Sequence, residues 1–147
     1  MRLSAQGLIL LLLTAAPLTT MSAQLRGYNP TNSADDTAKS VSLIQLIANP
    51  RAWDGKKVRL IGFLRLEFEG DALYLHKEDF EHSISNNAVW IDRPRDLTSA
   101  QEKAMNTQYV ICEGTFRATD KGHMDMFSGT ISGINRLEAW DFDRSKK

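Results

Sequence analysis

The stretch Lys57-Val-Arg-Leu-Ile-Gly-Phe-Leu-Arg-Leu-Glu-Phe68 decides the fold. Its alternating apolar residues predict a β-strand with one buried face, made of Val58, Leu60, Leu64, Leu66 and Phe68. Gly62 interrupts this face, and a glycine inside a strand often marks a bend or bulge at a barrel corner. A turn at Glu69-Gly-Asp71 leads into a second strand, Ala72–His76, so residues 58–76 are predicted to form a long hairpin.

Three further strands are predicted beyond this hairpin. They are Ala88–Asp92, Gln108–Arg117, and a fifth strand made of His123–Phe127 and Thr130–Leu137 with a break at Gly129. The segment Thr119-Asp-Lys-Gly122 is a turn between the fourth and fifth of them.

Two short helices complete the predicted elements. Val41–Ala48 has a one-sided apolar pattern, with Ser42 and Gln45 spaced as a capping box, and Asn49-Pro50 ends it. Asp96–Asn106 is the second helix, which either Thr98 with Gln101 or Ser99 with Glu102 would cap.

The order of these elements defines the predicted fold class. A helix, a bent hairpin, a third strand, a helix and two more strands describe the OB-fold, a five-stranded Greek-key barrel. The prediction is therefore a mainly β, OB-fold-like barrel of five strands with one or two short helices. An SH3-like barrel and an open α+β sheet are the alternatives.

The first residues of the chain have the three-part order of a secretory signal. Arg2 is followed by the apolar run Leu8–Leu18 and then by small residues up to Ala23. The apolar run is too short for a membrane-spanning helix, which needs about 20 residues. We expect residues 1–23 to be a signal peptide cleaved after Ser22 or Ala23, which leaves a periplasmic or secreted protein with no stable membrane anchor.

The rest of the chain divides into three parts. Residues 24–39 are polar and contain Gly and Pro, which predicts a flexible linker; residues 40–142 form the barrel domain, and 143–147 a frayed tail. The whole chain carries 18 basic and 18 acidic residues, so it has no general attraction for nucleic acid, and no nucleic-acid partner is expected. Its single cysteine cannot form an internal disulfide.

Several short segments resemble a known group of proteins. They are Asn49-Pro-x-x-x-Asp54-Gly-Lys-x-Val58-x-x-x-Gly62, Leu66-Glu-Phe-Glu-Gly70, Asn87-Ala-Val-Trp-Ile-Asp92, Glu113-Gly-Thr-Phe116 and Gly122-His-Met124. Together they resemble a set carried by uncharacterised exported bacterial proteins with an OB-fold-like domain, over about residues 41–138. The resemblance implies the fold and transfers no functional residue.

The aromatic residues are the candidate ligand-binding site. Phe63, Tyr74 and Trp90 are predicted on the strand face opposite the main apolar set, with His76 beside them. In OB-folds this face binds extended ligands, and exposed aromatic rings can stack on sugars, peptides or bases. The alternative is that the two helices cover these rings as an outer layer of the core.

A metal site is the second candidate. His76, His82 and His123, with Glu78, Asp79 and Glu81, are residue types that bind zinc, and Met124 with Met126 could bind copper. Against this, no zinc-binding spacing occurs, and Lys77–Ser83 is more simply explained as a solvated acidic loop. The two methionines, on one face of a strand, are better explained as core packing.

No motif for catalysis is present in the sequence. Cys112 lies inside a predicted strand, where a lone cysteine is more often a small buried apolar residue than a nucleophile. Glu67, Glu69 and Glu113 fit the solvated face of strands, and no phosphate-binding or nucleophile motif occurs. We therefore expect a non-enzymatic exported domain, without a cofactor, that binds a small ligand, peptide, glycan or envelope protein; zinc or copper handling is the alternative.

Overall fold

The computed structural model describes residues 37–141. The predicted signal peptide and tail, and most of the predicted linker, lie outside the described residues. Within the described part, four α-helices are α1 (Leu43–Ala48), α2 (Pro50–Trp53), α3 (Lys77–Glu81) and α4 (Ser99–Met105). The six strands are β1 (Lys39–Ser40), β2 (Lys57–Arg65), β3 (Ala72–Tyr74), β4 (Ala88–Ile91), β5 (Tyr109–Arg117) and β6 (Thr130–Ala139).

Five of these strands close into a barrel in the order β2-β3-β4-β6-β5, with β5 pairing back to β2. The barrel is mixed, because β4 and β6 are parallel while the other pairs that close it are antiparallel. The two-residue β1 adds a parallel pairing to β2. The predicted fold class, a five-stranded OB-fold-like barrel with short helices, is confirmed.

The strand β2 belongs to both sides of the barrel. Residues 57–63 pair with β5 and residues 63–65 pair with β3, so Phe63 is opposite both Tyr74 and Tyr109. Gly62 lies at this changeover, where a Cβ atom would approach Leu73 Cγ and the Tyr74 carbonyl oxygen to 2.7 Å. The glycine thus allows the close approach of β3 that closes the barrel.

The main core fills the barrel, and helices close it. It contains the predicted inward residues of β2 up to Leu66, together with the buried side chains Leu73, Val89, Ile91, Val110, Cys112, Phe116 and Ile131. Leu43 and Leu46 insert from α1, and Met105 inserts from α4. No helix within residues 37–141 has the length and apolar character needed to cross a membrane.

Both predicted helices carry capping boxes. In α1 the Gln45 backbone N–H donates to Ser42 Oγ at 3.1 Å, and the Ser42 N–H donates to Gln45 Oε1 at 3.1 Å. In α4 the same arrangement uses Thr98 and Gln101, so the structure selects this pair over Ser99 with Glu102. The side chains thereby satisfy backbone donors at each helix start.

Three local predictions are wrong. Lys77–Glu81 is helix α3 rather than an open acidic loop. His123–Asp125 is a 3₁₀ turn rather than the start of the fifth strand, because Met124 and Asp125 have left-handed backbone angles (φ 53° and 57°). The predicted strand beyond Arg65 ends early, and Phe68, which was expected to face the core, is 92% exposed in the turn.

We expect Gly62→Ala to destabilise the domain by about 1–3 kcal/mol, because the new methyl group must displace backbone and packed side chains of β3. Chemical denaturation of the purified domain measures this. Gly70→Ala is the matched control, since a Cβ there meets only the exposed, flexible Glu67 side chain. Equal stability of the two variants would show that the barrel does not depend on the close approach at Gly62.

Candidate functional site

The outer face of β2, β3 and β4 carries a second apolar cluster. Phe63, Tyr74 and Phe127 are between 3% and 7% exposed, and Ala72 and Ala88 pack with them. Phe80 and Trp90 are half-buried against this cluster. The cluster lies on the face where OB-folds bind extended ligands.

Six aromatic rings form a continuous row across this face. Ring centroids are separated by 5.7 Å between Tyr109 and Phe63, and by 6.2 Å between Phe63 and Phe80. The row continues through Tyr74 and Phe127 to Trp90, with separations of 5.5, 6.5 and 5.5 Å. Most pairs are edge-on or tilted, the geometry that aromatic quadrupoles prefer.

Helix α3 brings Phe80 into this row. Asp79, which is 7% exposed, accepts hydrogen bonds from the His76 N–H at 2.9 Å and from Asn87 Nδ2 at 2.7 Å. These bonds attach the start of α3 to the barrel. The Arg65 guanidinium lies over the Phe80 ring in a cation–π contact, with its central carbon 4.8 Å from the ring centroid.

The connection between β5 and β6 brings Phe127 into the row. The Phe127 N–H donates to the Lys121 carbonyl, and the Ser128 N–H donates to the Ala88 carbonyl at 3.0 Å. Gly122 has φ 65° and packs on the Trp90 ring, where a Cβ would lie 2.6 Å from the side chain. The chain thus covers its own aromatic face from two sides.

The structure brings Phe63, Tyr74 and Trp90 together, as predicted, but Phe63 and Tyr74 are almost fully buried. They form the outer core layer that was the alternative interpretation, although the cover comes from α3 and the β5–β6 connection rather than from the two predicted helices. His76 is exposed at the start of α3, outside the ring cluster. A ligand role for these four residues stays a prediction.

Exposed apolar side chains occur instead on two neighbouring loops. Phe68 in the β2–β3 loop is 92% exposed, and Met124 and Met126 in the β5–β6 connection are 79% and 47% exposed. The loops approach each other where His123 Nε2 lies 3.9 Å from Glu69 Oε2. We call Phe68, Glu69, His123, Met124 and Met126 the loop-tip surface. The prediction that the methionines pack in the core is wrong.

Three residues of the two loops have left-handed backbone angles. Glu69, Met124 and Asp125 all have φ between 53° and 58°, a region that side-chain-bearing residues rarely adopt. Such conformations cost of order 1–3 kcal/mol each and cluster at ligand-binding sites. The loop-tip surface is therefore the strongest candidate site in the described part of the chain.

A groove of about 640 Å³ continues from the loop-tip surface along α4. Its apolar part is formed by Leu66 and Phe68, and Lys103 and Asn106 contribute from α4 and its end. Arg93 crosses it, with bonds to both carboxylate oxygens of Asp71 and to Glu102 Oε1 at 3.0 Å. This ion-pair chain ties the β2–β3 loop to α4 and thereby shapes the groove.

The metal candidates are not brought together. Asp79 is occupied as the cap of α3, and His76 and His82 flank that helix on either end. His123 lies on the loop-tip surface beside Glu69. In residues 37–141 no three His, Cys, Asp or Glu side chains are arranged to hold a metal ion.

Two neighbouring ionisable groups of β5 have shifted pKa values. Burial raises the pKa of the Cys112 thiol to about 12, so it is protonated and not nucleophilic at neutral pH. Hydrogen bonding from Arg59 lowers the pKa of Glu113, whose carboxylate also accepts from Arg136. These three residues link β2, β5 and β6 on the outer surface, which is a structural role.

Comparison with known proteins supports the fold alone. No family model matches the chain, and no curated protein sequence matches it. A DUF3299 family protein from Pseudomonas aeruginosa is similar in structure, with a TM-score of 0.50, 12% identity, and coverage of 73% of this chain and 99% of the other.

Two solved structures from S. pombe match at lower scores. The Stn1–Ten1 complex gives 15% identity and a TM-score of 0.44, over 76% of this chain and 85% of the other. The telomere capping protein Ten1 gives 14% identity and a TM-score of 0.43, over 75% and 88%. At these identities the likeness concerns the backbone only.

We expect the native protein to resist labelling of Cys112 by a maleimide at about pH 8, because its thiol is buried and its pKa is raised to about 12. Mass spectrometry should detect the adduct only after unfolding in denaturant. An Ile44→Cys variant, with its added thiol at an exposed position of α1, should be labelled once in the native state. Rapid labelling of native Cys112 would contradict the assigned burial.

Proposed function

We propose that this protein is an exported, non-enzymatic binding domain that holds a peptide or protein partner on its loop-tip surface. The observation that carries the proposal is the exposure of Phe68 and Met124 on two loops that meet at their tips. Covering a large apolar side chain contributes about 1.5–3 kcal/mol. A micromolar affinity corresponds to a binding free energy of about 8 kcal/mol. A partner that covers both residues therefore gains a large share of that free energy.

The chemistry of these side chains favours a polypeptide partner. Methionine is unbranched and polarisable, so it adapts to varied apolar surfaces, and phenylalanine supplies a rigid contact. Glu69 and Asp125 add negative charge at the edge, and the chain as a whole has no net charge. Both features disfavour the phosphate backbone of a nucleic acid as the ligand.

The proposal that the protein is not an enzyme rests on the buried cysteine and on the ion pairs of the barrel surface. The single cysteine is protonated and enclosed, and the polar cluster around Glu113 consists of paired ions that tie strands together. Export is supported by the order of residue types in residues 1–23.

Site-specific photocrosslinking tests the binding surface. A photoreactive phenylalanine analogue placed at position 68 or 124 in the host cell should give the same crosslinked partner. The same analogue at Ile44, which is 61% exposed on α1, should not. Met124→Ser should remove the crosslink from position 68, because both residues contact one partner. Identical adducts from positions 68 and 44, or none from position 68, would refute the loop-tip surface as the binding site.

Export has a separate test. Fractionation of the host cells should place the protein outside the cytoplasm. Its mass should be that of a chain that begins at Ala23 or Gln24. Leu11→Arg introduces a charge into the apolar run and should leave the full-length chain inside the cell. A full-length wild-type chain in the cytoplasm would contradict export and leave the binding proposal standing.

A further inference from the structure

We infer that the groove beside the loop-tip surface docks a segment of the partner that combines apolar and basic side chains. This inference rests on the proposed binding function and specifies the chemistry of the partner. The groove shares Phe68 and Glu69 with the loop-tip surface, so a partner that covers Phe68 also reaches the groove.

Two apolar residues form the base and part of the rim of the groove. Leu66 at its base is 7% exposed, and Phe68 stands at its rim with almost its whole side chain in solvent. The base is ordered by Asn106, which accepts from the Leu66 N–H at 3.0 Å and donates to the Leu66 carbonyl at 2.9 Å. This part of the groove offers an apolar surface on which a leucine or aromatic side chain of the partner would be covered.

The charges around the groove favour a cation. Four carboxylates line it, from Glu67, Glu69, Asp71 and Glu102, against two cations, Arg93 and Lys103. Arg93 is shared by Asp71 and Glu102, so one guanidinium balances two carboxylates. Glu67 is paired with Arg65, and the pairing of Glu69 within the described residues is with His123, at 3.9 Å.

The one groove carboxylate with no lysine or arginine partner among the described residues lies next to the apolar rim. Glu69 directly follows Phe68, and its left-handed backbone conformation (φ 58°) sets the direction in which its carboxylate leaves the loop. A lysine or arginine one or two residues from an apolar anchor can therefore reach Glu69 while the anchor covers Phe68. Opposite charges at the edge of an interface add specificity and speed association.

The positive charge of Lys103, on the opposite wall of the groove, allows us to predict how a charge reversal there changes the affinity for the partner. It makes no ion pair with a described residue, and it contributes positive charge where the partner's cation approaches. Replacing it with an acid should strengthen binding of a basic segment, whereas replacing Glu69 with a base should weaken it. The two variants change the charge of the same groove in opposite senses.

Fluorescence anisotropy with two labelled peptides tests the inference on the purified domain. The probes are a peptide of alternating lysine and leucine and its counterpart of alternating glutamate and leucine. The basic peptide should bind, and the acidic peptide should bind at least about tenfold more weakly. Glu69→Lys should weaken binding of the basic peptide several-fold, and Lys103→Glu should strengthen it. Both changes in affinity should become smaller as salt is added, because salt screens exposed charges.

Matched controls separate local from overall charge. Glu78→Lys makes the same change in net charge on α3, outside the groove, and should leave the affinity within about twofold of wild type. Phe68→Ser should weaken binding of the basic peptide, with a circular dichroism spectrum like that of wild type because the side chain is outside the core.

The outcomes distinguish this inference from the proposed function. Equal effects of Glu69→Lys and Glu78→Lys, or tighter binding of the acidic peptide, would overturn the basic-partner inference. A crosslink at position 68 to a partner that lacks a basic segment would likewise overturn it, while the binding function would stand. Peptide binding in the purified domain without any crosslink in cells would instead remove the proposed function.

Discussion

The structure depends on one constraint, which is that β2 must pair with β5 along its first seven residues and with β3 along its last three. Gly62 lies directly before the residue that pairs with both strands, and its missing side chain leaves room for Leu73 and the Tyr74 carbonyl of β3. Closure of the barrel around its core therefore depends on this close approach, while the outward position of Phe63 follows from the alternation of side chains along β2. The loop that carries the exposed Phe68 begins where this doubly paired strand ends.

Closing the barrel leaves a second apolar face on its outside, and the chain covers that face itself. Phe80 comes from a five-residue helix anchored by buried Asp79, and Phe127 comes from the β5–β6 connection. These rings occupy the surface on which OB-folds often bind ligands, and the two most exposed large apolar side chains of the described residues, Phe68 and Met124, lie at the loop ends. There the carboxylates of the β2–β3 loop and the bridging Arg93 combine with Phe68 to form a groove with both apolar and acidic character.

Much of the fold could be predicted because its signals are local. The alternation from Val58 to Leu66, the glycine within it, and the two capping boxes each act over a few residues, and all of them appear in the structure. The site was less predictable. Phe63 and Tyr74 were placed on the correct face. Their burial depends on Phe80 and Phe127, which come from separate segments, and no periodic pattern in the sequence indicates that these two residues contact the face. Phe68 continued the apolar alternation and was expected inside, yet the strand ends before it.

The sequence by itself indicated a mainly β, OB-fold-like barrel, the capping box of α1 and the residues of β2 that alternate between core and outer face, because backbone geometry and side-chain period act between near neighbours. Only the tertiary structure decided which outer residues remain accessible. That outcome depends on where the chain returns to cover itself, on left-handed turns at Glu69, Met124 and Asp125, and on the ion pairs that join the β2–β3 loop to α4. These are contacts between segments far apart in the chain, and no local pattern of residue types encodes them.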